Sequence, residues 1–346
     1  MRAAKLYGPR DIRIEEIPET EPGPGELLLT VTAVGICGSD LHTYLHWQIG
    51  GSAPGGPMIM GHEAAGIVNA VGLGVTDFQV GQRVAIDPAI PCLVCERCLE
   101  GDPNLCANLK FMGLWPDQGA LREHMTHPAR ACIPLPDSVS DVGGALLEPL
   151  GVALHAINLA KIAMGDDVLI TGCGAIGLMM IQLARLAGAR HIYASDRYDW
   201  RLALAAAYGA DTILKADQVD VVAAVIRGTQ GRGVDVAIES AWAEETCSQC
   251  VEASRNGGRV IIVGIPVEEY IKLRASPARR KGLTIKLSRR MKHSYPRAIA
   301  LTTAAKIALD PLASHCFGLA QAGEAFETAA TYADSVVRAM VLPNKA

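Results

Sequence analysis

The spacing of apolar positions changes near residue 150, and this change predicts two kinds of architecture. Before it, short apolar runs such as ELLLTVTAV (26–34), AAGIVNAVG (64–72) and RVAIDPAI (83–90) are separated by glycine and proline. Short apolar runs bounded by turn-forming residues are typical of strands. The first 150 residues are therefore predicted to form a small barrel of irregular strands.

After residue 150, apolar strands alternate with helices. The segment DDVLITGCGAIGLMMIQLARLAGARHIYASD (166–196) predicts a strand, a glycine turn, a helix and a second strand. Further strands are predicted at 212–214, 234–240 and 259–265, with helical stretches such as 199–209 between them. Strands that alternate with helices indicate a parallel sheet with right-handed crossovers.

Past about residue 288 this alternation stops. The tail is predicted to contain two helices around a proline-marked connection within 295–330, followed by an apolar strand at 335–342. The chain is thus predicted to be an α/β protein of two domains. They comprise residues 1–150 completed by 288–346, and residues 151–287.

Composition narrows the class of protein. The 346 residues are enough for two domains, and 50% are hydrophobic while only 5% are aromatic, so the cores must consist mainly of alanine, valine, leucine and isoleucine. The net charge of -4 gives no basic excess, which argues against a general nucleic-acid surface.

The N-terminus and the cysteine count bear on the compartment. The first residues, MRAAKLYGPRDIRIEEIPE, lack an apolar signal-peptide core, and no segment approaches the roughly 18 uninterrupted apolar residues of a membrane span. A cytoplasmic protein without a membrane partner is expected. Its ten cysteines would then sit in a reducing compartment, where metal ligation or catalysis explains clustered thiols better than disulfides do.

The most specific motif is CLVCERCLEGDPNLC (92–106), which has the spacing C-x2-C-x2-C-x7-C. Four thiolates in fifteen residues can close a tetrahedron around Zn2+ and leave no open position, which makes a structural site. An iron–sulfur cluster takes the same ligands and stays open as an alternative. A zinc-ribbon nucleic-acid binder is disfavoured by the negative net charge and by the acidic residues inside the motif. The four ligands are Cys92, Cys95, Cys98 and Cys106.

A second motif, GCGAIG (172–177), fits G-x-G-x-x-G between a predicted strand and a predicted helix. In this context Gly172 makes the tight turn, Gly174 lets the backbone approach a pyrophosphate, and Gly177 packs helix on strand. Phosphates would lie at the helix N-terminus. Asp196 ends the next strand and is expected to accept from a ribose 2'-hydroxyl, which favours NAD, although the adjacent Arg197 leaves NADP use open.

A third set of residues could hold a reactive metal. Cys37 precedes His62 and Glu63 by about 25 positions, and Glu148 lies farther on in the apolar segment LLEPLGVALHA. A cysteine, a histidine and a carboxylate with one exchangeable position are what a catalytic zinc requires.

Together these motifs resemble the zinc-dependent medium-chain dehydrogenase/reductase family over essentially the full length of the chain. GHEAAGIVNAVG (61–72) is similar to the family's zinc signature G-H-E-x2-G-x5-G, and the cysteine and glycine motifs follow in the family's order. Glu148, where classical alcohol dehydrogenases have cysteine, resembles the polyol (sorbitol-type) branch. The resemblance implies a GroES-like β-barrel catalytic domain, a Rossmann domain that binds NAD, and an active site in the cleft between them.

The resemblance also assigns roles by position. It implies that Cys37, His62 and Glu63 hold the catalytic zinc and that Glu148 either binds the zinc or hydrogen-bonds its water. Ser39 and His42 match a proton relay, and Asp40 is expected to brace the backbone. The remaining positions match family contacts with NAD: Ile176, Asp196, Arg201, Val263, Gly264, Ile265, Arg289, Arg290 and Met291.

The substrate pocket departs from the sorbitol type. The family has tyrosine directly after the histidine that corresponds to His42, whereas this chain has Thr43 and then Tyr44. It also has tyrosine after the pocket arginine that matches Arg290, where this chain has Met291. These differences leave the zinc and NAD assignments in place but put sorbitol itself in doubt.

The expected function is reversible NAD-dependent oxidation of a secondary alcohol of a polyol to a ketose. Alternatives within the family are a vicinal-diol (butanediol), L-threonine or sugar-acid 5-dehydrogenase. A non-catalytic NAD-binding structural protein on the same fold is the alternative from another class. The resemblance also implies a homo-oligomer, a tetramer or a dimer.

Overall fold

The structure is a computed structural model that describes residues 1–266 and 270–345. The chain divides into two compact units. Unit 1 comprises Met1–Pro149 and Tyr295–Ala346, and unit 2 comprises Leu150–Ser294.

The strands are numbered in chain order. They are β1 (Arg2–Leu6), β2 (Ile12–Glu16), β3 (Glu26–Gly35), β4 (Met58–Ile59), β5 (Glu63–Val71), β6 (Arg83–Ile86), β7 (Ala89–Ile90), β8 (Lys110–Phe111), β9 (His124–Pro128), β10 (Cys132–Pro134), β11 (Asp167–Thr171), β12 (His191–Asp196), β13 (Thr212–Lys215), β14 (Val234–Glu239), β15 (Ser254–Ile262), β16 (Thr284–Leu287), β17 (His315–Gly318) and β18 (Ala339–Leu342).

The helices are numbered in the same way. They are α1 (Gly38–His46), α2 (Glu96–Leu99), α3 (Asp141–Ala160), α4 (Ala175–Leu186), α5 (Asp199–Ala207), α6 (Val221–Gly228), α7 (Thr246–Ala253), α8 (Ala275–Arg280), α9 (Tyr295–Thr303) and α10 (Ala322–Thr331).

Unit 1 is built around a mainly antiparallel sheet with the order β10-β6-β5-β3-β18-β17, in which β9 also pairs with β3. Every second side chain of β3, from Leu27 through Leu29 to Val31, is fully buried, as a strand with one face on the core requires. The register of β3 with β5 sets Gly35 opposite Glu63, and β18 pairs with β3 at the same end. The C-terminal tail therefore completes the N-terminal unit.

Unit 2 contains a six-stranded sheet with the order β13-β12-β11-β14-β15-β16, in which every neighbouring pair is parallel. This is the Rossmann order, with the chain running outward from β11 in both directions. All residues of β11 and β14 are buried, because a parallel sheet is covered on both faces. Thr171, Asp196, Glu239 and Ile262 end their strands at the same edge of the sheet.

The predicted fold class is confirmed, and the differences are shifted ends of two strands and one additional strand. The strand predicted at 259–265 begins at Ser254 and ends at Ile262, so residues 263–265 follow it. The strand predicted at 335–342 begins only at Ala339. The structure adds β17 between the two tail helices, where the sequence predicts a connection. Four residues, HCFG, are too few to show an alternating pattern.

One helix in the described part of the chain, α3, is long and apolar enough to cross a membrane by length and composition alone. In the structure 78% of its apolar window is buried, as in a core helix. The helix also carries Glu148 and an internal proline, Pro149.

The opposite edge of the unit 2 sheet, where the strands begin, is held by ion pairs. The carboxylate of Asp235 accepts from both Arg232 nitrogens Nη1 and Nη2 (2.9 and 2.6 Å) and from Nε of Arg255 (2.6 Å). It also accepts from the backbone N–H of Asp167 (3.0 Å), which ties β14 to β11. Burial raises the pKa of Asp235, but these hydrogen bonds outweigh burial and hold the pKa well below its ordinary value of 3.8.

We predict that Asp235→Asn lowers the free energy of unfolding by about 2 kcal/mol, because two arginines lose a charged acceptor. Since the folded pKa is depressed, this stabilisation is present in full above the ordinary pKa and is lost as the pH falls below it. Urea unfolding at pH 7 and pH 3 measures both effects. Asp217→Asn, at an exposed position, is the control. Equal stability of the two variants at pH 7 would contradict the prediction.

Candidate active site

Cys37 is fixed at the N-terminus of α1 by a local turn. It is the residue that caps the helix, and its backbone N–H donates to Oδ2 of Asp40 (3.0 Å). Asp40 is buried, so the expectation that it braces the backbone is confirmed. The half-buried sulfur of Cys37 is thereby placed beside the start of β5.

His62 and Glu63 lie where the chain enters β5. The preceding Gly61 has φ of 91°, and a Cβ there would lie 2.7 Å from Cγ1 of Val34, so only glycine fits this bend. Nδ1 of His62 lies 3.4 Å from Oδ1 of Asp40, and its ring packs 5.4 Å from that of Phe111 between centroids. The imidazole is thus oriented by a carboxylate on one side and an aromatic ring on the other.

The structure brings Cys37, His62 and Glu63 together, with one ligand atom of each lying within 4.8 Å of the others. Glu63 is fully buried, and neither oxygen of its carboxylate has a hydrogen-bond partner in the described part of the chain. A buried carboxylate without hydrogen bonds is costly unless a cation compensates it. The donor set and the unsatisfied oxygens therefore fit a zinc ion.

The pKa shifts in the cluster also indicate that its buried negative charges lack sufficient positive charge nearby. Burial raises the pKa of Glu63 to about 8, against the opposing charge of Arg338. Burial also raises the pKa of the Cys37 thiol, but a hydrogen bond and positive charge from His62, with Arg338 beyond, bring it down to about 7. Burial lowers the pKa of His62, but Asp40 and the Cys37 sulfur raise it well above its ordinary value. Binding of a metal at these ligands therefore competes with protons.

Arg338 also belongs to this cluster, although the motifs did not predict it as a site residue. The residue is buried just before β18, its Nη1 donates to the carbonyl of Ile36 (2.6 Å), and the same nitrogen lies 3.3 Å from Oε1 of Glu63. One sequence feature could have identified this residue, because Arg338 is the one charge in the apolar run SVVRAMVL. A charge in a buried strand needs an opposite charge nearby.

Glu148 lies on α3 and is buried, but it is outside the group of three ligands. Its charge raises the pKa of Arg338, as those of Glu63 and Cys37 also do, while burial opposes them. Glu148 is therefore close enough to act on the cluster through Arg338. Its predicted choice between zinc and a zinc-bound water stays a prediction.

The residues predicted for the proton relay, and two of those predicted for the substrate pocket, lie on α1. Ser39 is buried, His42 is half-buried, and the hydroxyl of the buried Thr43 donates to the carbonyl of Ser39 (3.4 Å). The ring of Tyr44 packs on Phe326 in the core of unit 1, 5.1 Å between centroids.

The hydroxyl of Tyr44 is also engaged, since it donates to Oε2 of Glu327 (3.1 Å) on α10. Burial and this carboxylate raise the pKa of Tyr44 to about 12. The turn of α1 points this side chain to the core, and the substrate contact predicted for Tyr44 stays a prediction. Thr43, the residue before Tyr44, lies on a different face of the helix.

The four cysteines of the motif at 92–106 converge as the spacing predicts. Their sulfurs all lie within 4.8 Å of one another, and the sulfur of Cys106 is 3.5 Å from that of Cys92 and 3.8 Å from that of Cys95. Four sulfurs about 2.3 Å from one zinc ion are about 3.8 Å apart, so the residues fit the metal. Backbone N–H groups of Val94 and Cys95 lower the pKa of Cys92 to about 6.

The glycine motif in unit 2 forms the turn between β11 and α4. A Cβ on Gly172 would lie 2.7 Å from the backbone of Ala241, and one on Gly177 would lie 1.9 Å from the carbonyl of Gly172. A Cβ on Gly174, in contrast, would meet nothing within 4 Å. Gly172 and Gly177 are thus required because a side chain would clash with neighbouring backbone. Gly174 faces open space at the start of a helix, where a phosphate would fit.

Asp196 ends β12 and braces this turn. Its Oδ2 accepts from the backbone N–H of Cys173 (2.8 Å), and its Oδ1 accepts from that of Tyr198 (3.1 Å). Arg201 lies 3.6 Å from the same carboxylate, with its guanidinium over the rings of Tyr198 and Trp200 at 5.3 and 4.9 Å. The carboxylate is therefore held at the edge where a ribose would lie.

The other residues predicted to contact NAD are also in unit 2. Ile176 is half-buried in the first turn of α4, and Val263, Gly264 and Ile265 follow the end of β15. Arg290 has φ of 56°, and Met291 is buried with its sulfur 2.3 Å from where a Cβ of Gly151 would lie. Arg289, next to them, is exposed. The cofactor contacts of these residues stay predictions.

The fold and the two sites define a class of protein: a zinc-binding oxidoreductase with a nicotinamide-cofactor domain. Residues 23–137 match the model of the alcohol dehydrogenase GroES-like domain, and residues 175–304 match that of the zinc-binding dehydrogenase. The sorbitol dehydrogenase of Bacillus subtilis (strain 168) is 34% identical over 345 residues, which cover 100% of this chain and 98% of the relative. The chain therefore belongs to the zinc-dependent medium-chain dehydrogenase family, in its polyol branch.

Other relatives have related activities. The L-idonate 5-dehydrogenase of Vitis vinifera is 36% identical, over 95% of this chain and 91% of the relative. The structure of 2R,3R-butanediol dehydrogenase from Bacillus subtilis has a TM-score of 0.90 and 33% identity, over 99% of both chains. A zinc-binding dehydrogenase from Sinorhizobium meliloti 1021, bound to NADP, has a TM-score of 0.91 and 34% identity over 99% of both chains.

We predict that Cys95→Ser lowers the zinc content by about one ion per chain and lowers the temperature of unfolding, because three ligands cannot close the structural site. Metal analysis after gel filtration and calorimetry measure the two effects. Cys316→Ser is the control, since Cys316 is an exposed thiol of β17. An unchanged metal content in Cys95→Ser would exclude a four-cysteine zinc site.

Proposed function

We propose that the protein is an NAD-dependent zinc polyol dehydrogenase that oxidises a secondary alcohol of a sugar alcohol to a ketose. The observation that carries the proposal is the meeting of Cys37, His62 and Glu63 around an unsatisfied, fully buried carboxylate. The full-length similarity to a sorbitol dehydrogenase supports the substrate class.

In this proposal Cys37, His62 and Glu63 hold the catalytic zinc. Bound there, Zn2+ would act as a Lewis acid that lowers the pKa of the substrate hydroxyl, and NAD+ would supply the hydride acceptor. The ligand geometry favours Glu63 as the third protein ligand, because its carboxylate lies within the group of three and that of Glu148 does not. Glu148 is then the residue that orients a water or the substrate.

Charged residues around the ligands prepare the site for a cation. Asp40 orients the imidazole of His62 from behind, and Arg338 offsets part of the negative charge of Glu63, Glu148 and Cys37. Once deprotonated to bind a metal, two carboxylates and a thiolate against one arginine would leave a net negative charge inside the protein. This charge favours a divalent ion and a neutral substrate hydroxyl over an anion at the same place.

Ser39 and His42 are proposed to carry away the proton of the hydroxyl. They are three residues apart on α1, so they lie on one side of the helix, and exposure increases from the buried Ser39 to the half-buried His42. A hydroxyl followed by an imidazole can pass a proton from a dry interior toward water. The relay therefore runs from the buried end of the helix outward.

NAD is proposed as the preferred cofactor. The carboxylate of Asp196, held by two backbone N–H groups, would accept from the ribose 2'-hydroxyl and repel a 2'-phosphate. Arg201 offsets part of that charge, and Arg197 is exposed beside it, so some use of NADP is compatible with the site. A second zinc ion is proposed at the four-cysteine motif; its sulfur spacing and the zinc-binding family support zinc over an iron–sulfur cluster.

The relatives also define the alternatives. A sugar-acid 5-dehydrogenase and a vicinal-diol dehydrogenase are favoured as second candidates by the similar L-idonate and butanediol enzymes, and L-threonine oxidation is the third. Assaying NADH formation with C4 to C6 polyols, 2,3-butanediol, L-idonate and L-threonine distinguishes them. A structural NAD-binding protein would bind NADH and turn over none of these.

We further propose a cytoplasmic homo-oligomer, a tetramer or a dimer. None of the ten cysteines forms a disulfide, which is typical of proteins in a reducing compartment. The oligomer is supported by the family resemblance, and gel filtration with light scattering measures it.

We predict that Cys37→Ser lowers polyol turnover by about 1,000-fold or more and removes about one zinc ion per chain, because the thiolate ligand is lost. NADH should bind with a Kd within about twofold of the unchanged protein, since the proposed nucleotide contacts are in unit 2. Cys316→Ser should change none of these values. Normal turnover in Cys37→Ser would refute the catalytic zinc.

We also predict that Asp196→Ala raises the KM for NAD by about tenfold or more while the KM for NADP stays constant or falls, because the ribose loses an acceptor and a phosphate loses a repelling charge. Initial rates with both cofactors measure this selectivity. Asp199→Ala, an exposed carboxylate on α5 close by in sequence, is the control. Equal changes in both KM values would show a loss of loop structure and exclude the ribose contact.

A further inference from the structure

Glu239, the last residue of β14, is a buried acid to which the proposed mechanism gives no role. It is 0% exposed and lies in register with Thr171 at the end of β11 and with Ile262 at the end of β15. Its neighbours on the sheet therefore lead directly into the glycine turn on one side and into residues 263–265 on the other. Carboxyl ends of parallel strands are where this fold binds its ligand.

One oxygen of Glu239 organises the loop that follows it. Oε1 accepts from the backbone N–H of Ala241 (2.9 Å), from that of Trp242 (2.6 Å) and from the hydroxyl of Thr246 (2.9 Å). Trp242 has φ of 44°, a conformation that L-residues rarely adopt. Three donors converging on one buried oxygen hold the loop in that strained conformation.

This loop packs against the glycine turn. The hydroxyl of Ser240 donates to the carbonyl of Thr171 (2.8 Å) or of Gly172 (3.1 Å), and the backbone of Ala241 fills the space that a Cβ on Gly172 would need. The position of the turn is therefore set partly by residues 240–241. These are held in turn by the side chain of Glu239.

The same residue fixes the segment after β15. The backbone carbonyl of Glu239 accepts from the N–H of Val263 (2.9 Å) and of Gly264 (3.3 Å), and a Cβ on Gly264 would lie 2.6 Å from Oε2 of Glu239. The Cβ of Trp242 lies on the same glycine, 3.2 Å from that position. Gly264 thus packs tightly over the carboxylate, and the two loops are in contact through Glu239 and Trp242.

We propose that Glu239 is a positioning residue for the dinucleotide, which holds the glycine turn and the Val263–Gly264 segment at a fixed distance from each other. The proposal builds on the NAD binding proposed above. Asp196, on β12, lies to one side of β11, so the adenosine half is expected there. The nicotinamide half then extends over β14 and β15, on the side that Glu239 controls.

Two substitutions with a matched control test this role by ligand binding, without turnover. Glu239→Ala removes the acceptor of three donors, and Glu239→Gln keeps an oxygen acceptor of the same shape. Glu244→Ala removes an exposed glutamate of the same loop. NADH binding is measured by fluorescence and ADP-ribose binding by calorimetry, at a temperature where circular dichroism shows each variant folded.

We expect Glu239→Ala to raise the Kd for NADH by about tenfold or more and that for ADP-ribose by less than about threefold, because only NADH spans both loops. Glu239→Gln should stay within about threefold of the unchanged protein for both ligands, and Glu244→Ala should equal it. In kinetics, Glu239→Ala should raise the KM for NAD and leave the KM for the polyol unchanged.

Each contrary result has a distinct meaning. Unchanged NADH binding in Glu239→Ala overturns the positioning role and leaves the dehydrogenase proposal intact. Equal weakening of NADH and ADP-ribose overturns the link between the loops. Failure of the unchanged protein to bind NADH overturns both proposals. If Glu239→Ala does not fold, Thr246→Val removes one donor and leaves the carboxylate; about threefold weaker NADH binding is then expected, and unchanged binding overturns the role.

Discussion

The fully buried carboxylate of Glu63, which has no hydrogen-bond partner in the described part of the chain, is the main constraint on the site in unit 1. Taking an ion out of water costs several kcal/mol, and Arg338, 3.3 Å from Glu63, compensates only part of that cost because it also faces Cys37 and Glu148. The glycine bend at Gly61 and the capped start of α1 keep the three donors together. The three buried ligands thus need a further positive charge, which a divalent cation would supply.

Unit 2 buries carboxylates as well, but its own groups donate to both oxygens of Asp235 and to Oε1 of Glu239. Asp235, where the strands begin, is surrounded by two arginines, and Glu239, where they end, is surrounded by N–H and hydroxyl donors. Arginines supply a strong, permanent ion pair, which suits an edge that only needs stability. Neutral donors bend the backbone around the carboxylate and so shape the loops at the ligand edge.

The sequence predicts those parts of the structure that local rules determine. The glycine turn, β11 and the four-cysteine motif have fixed spacings, and each lies where its spacing predicts. Tyr44 and Arg338 could not be assigned from spacing, because their roles depend on contacts with residues hundreds of positions away, Phe326 on α10 and Glu63 on β5. β17 has four residues and is formed only because β18 supplies a parallel partner.

Gly35 shows how narrowly this arrangement can vary. Its missing Cβ would lie 2.3 Å from Oε2 of Glu63, so any larger residue would push the carboxylate out of its place opposite β3. A redesign that replaces the ligands to accept another ion must therefore begin with the opposing strand. Gly35 therefore constrains the position of a metal ligand although it has no side chain that could bind a metal.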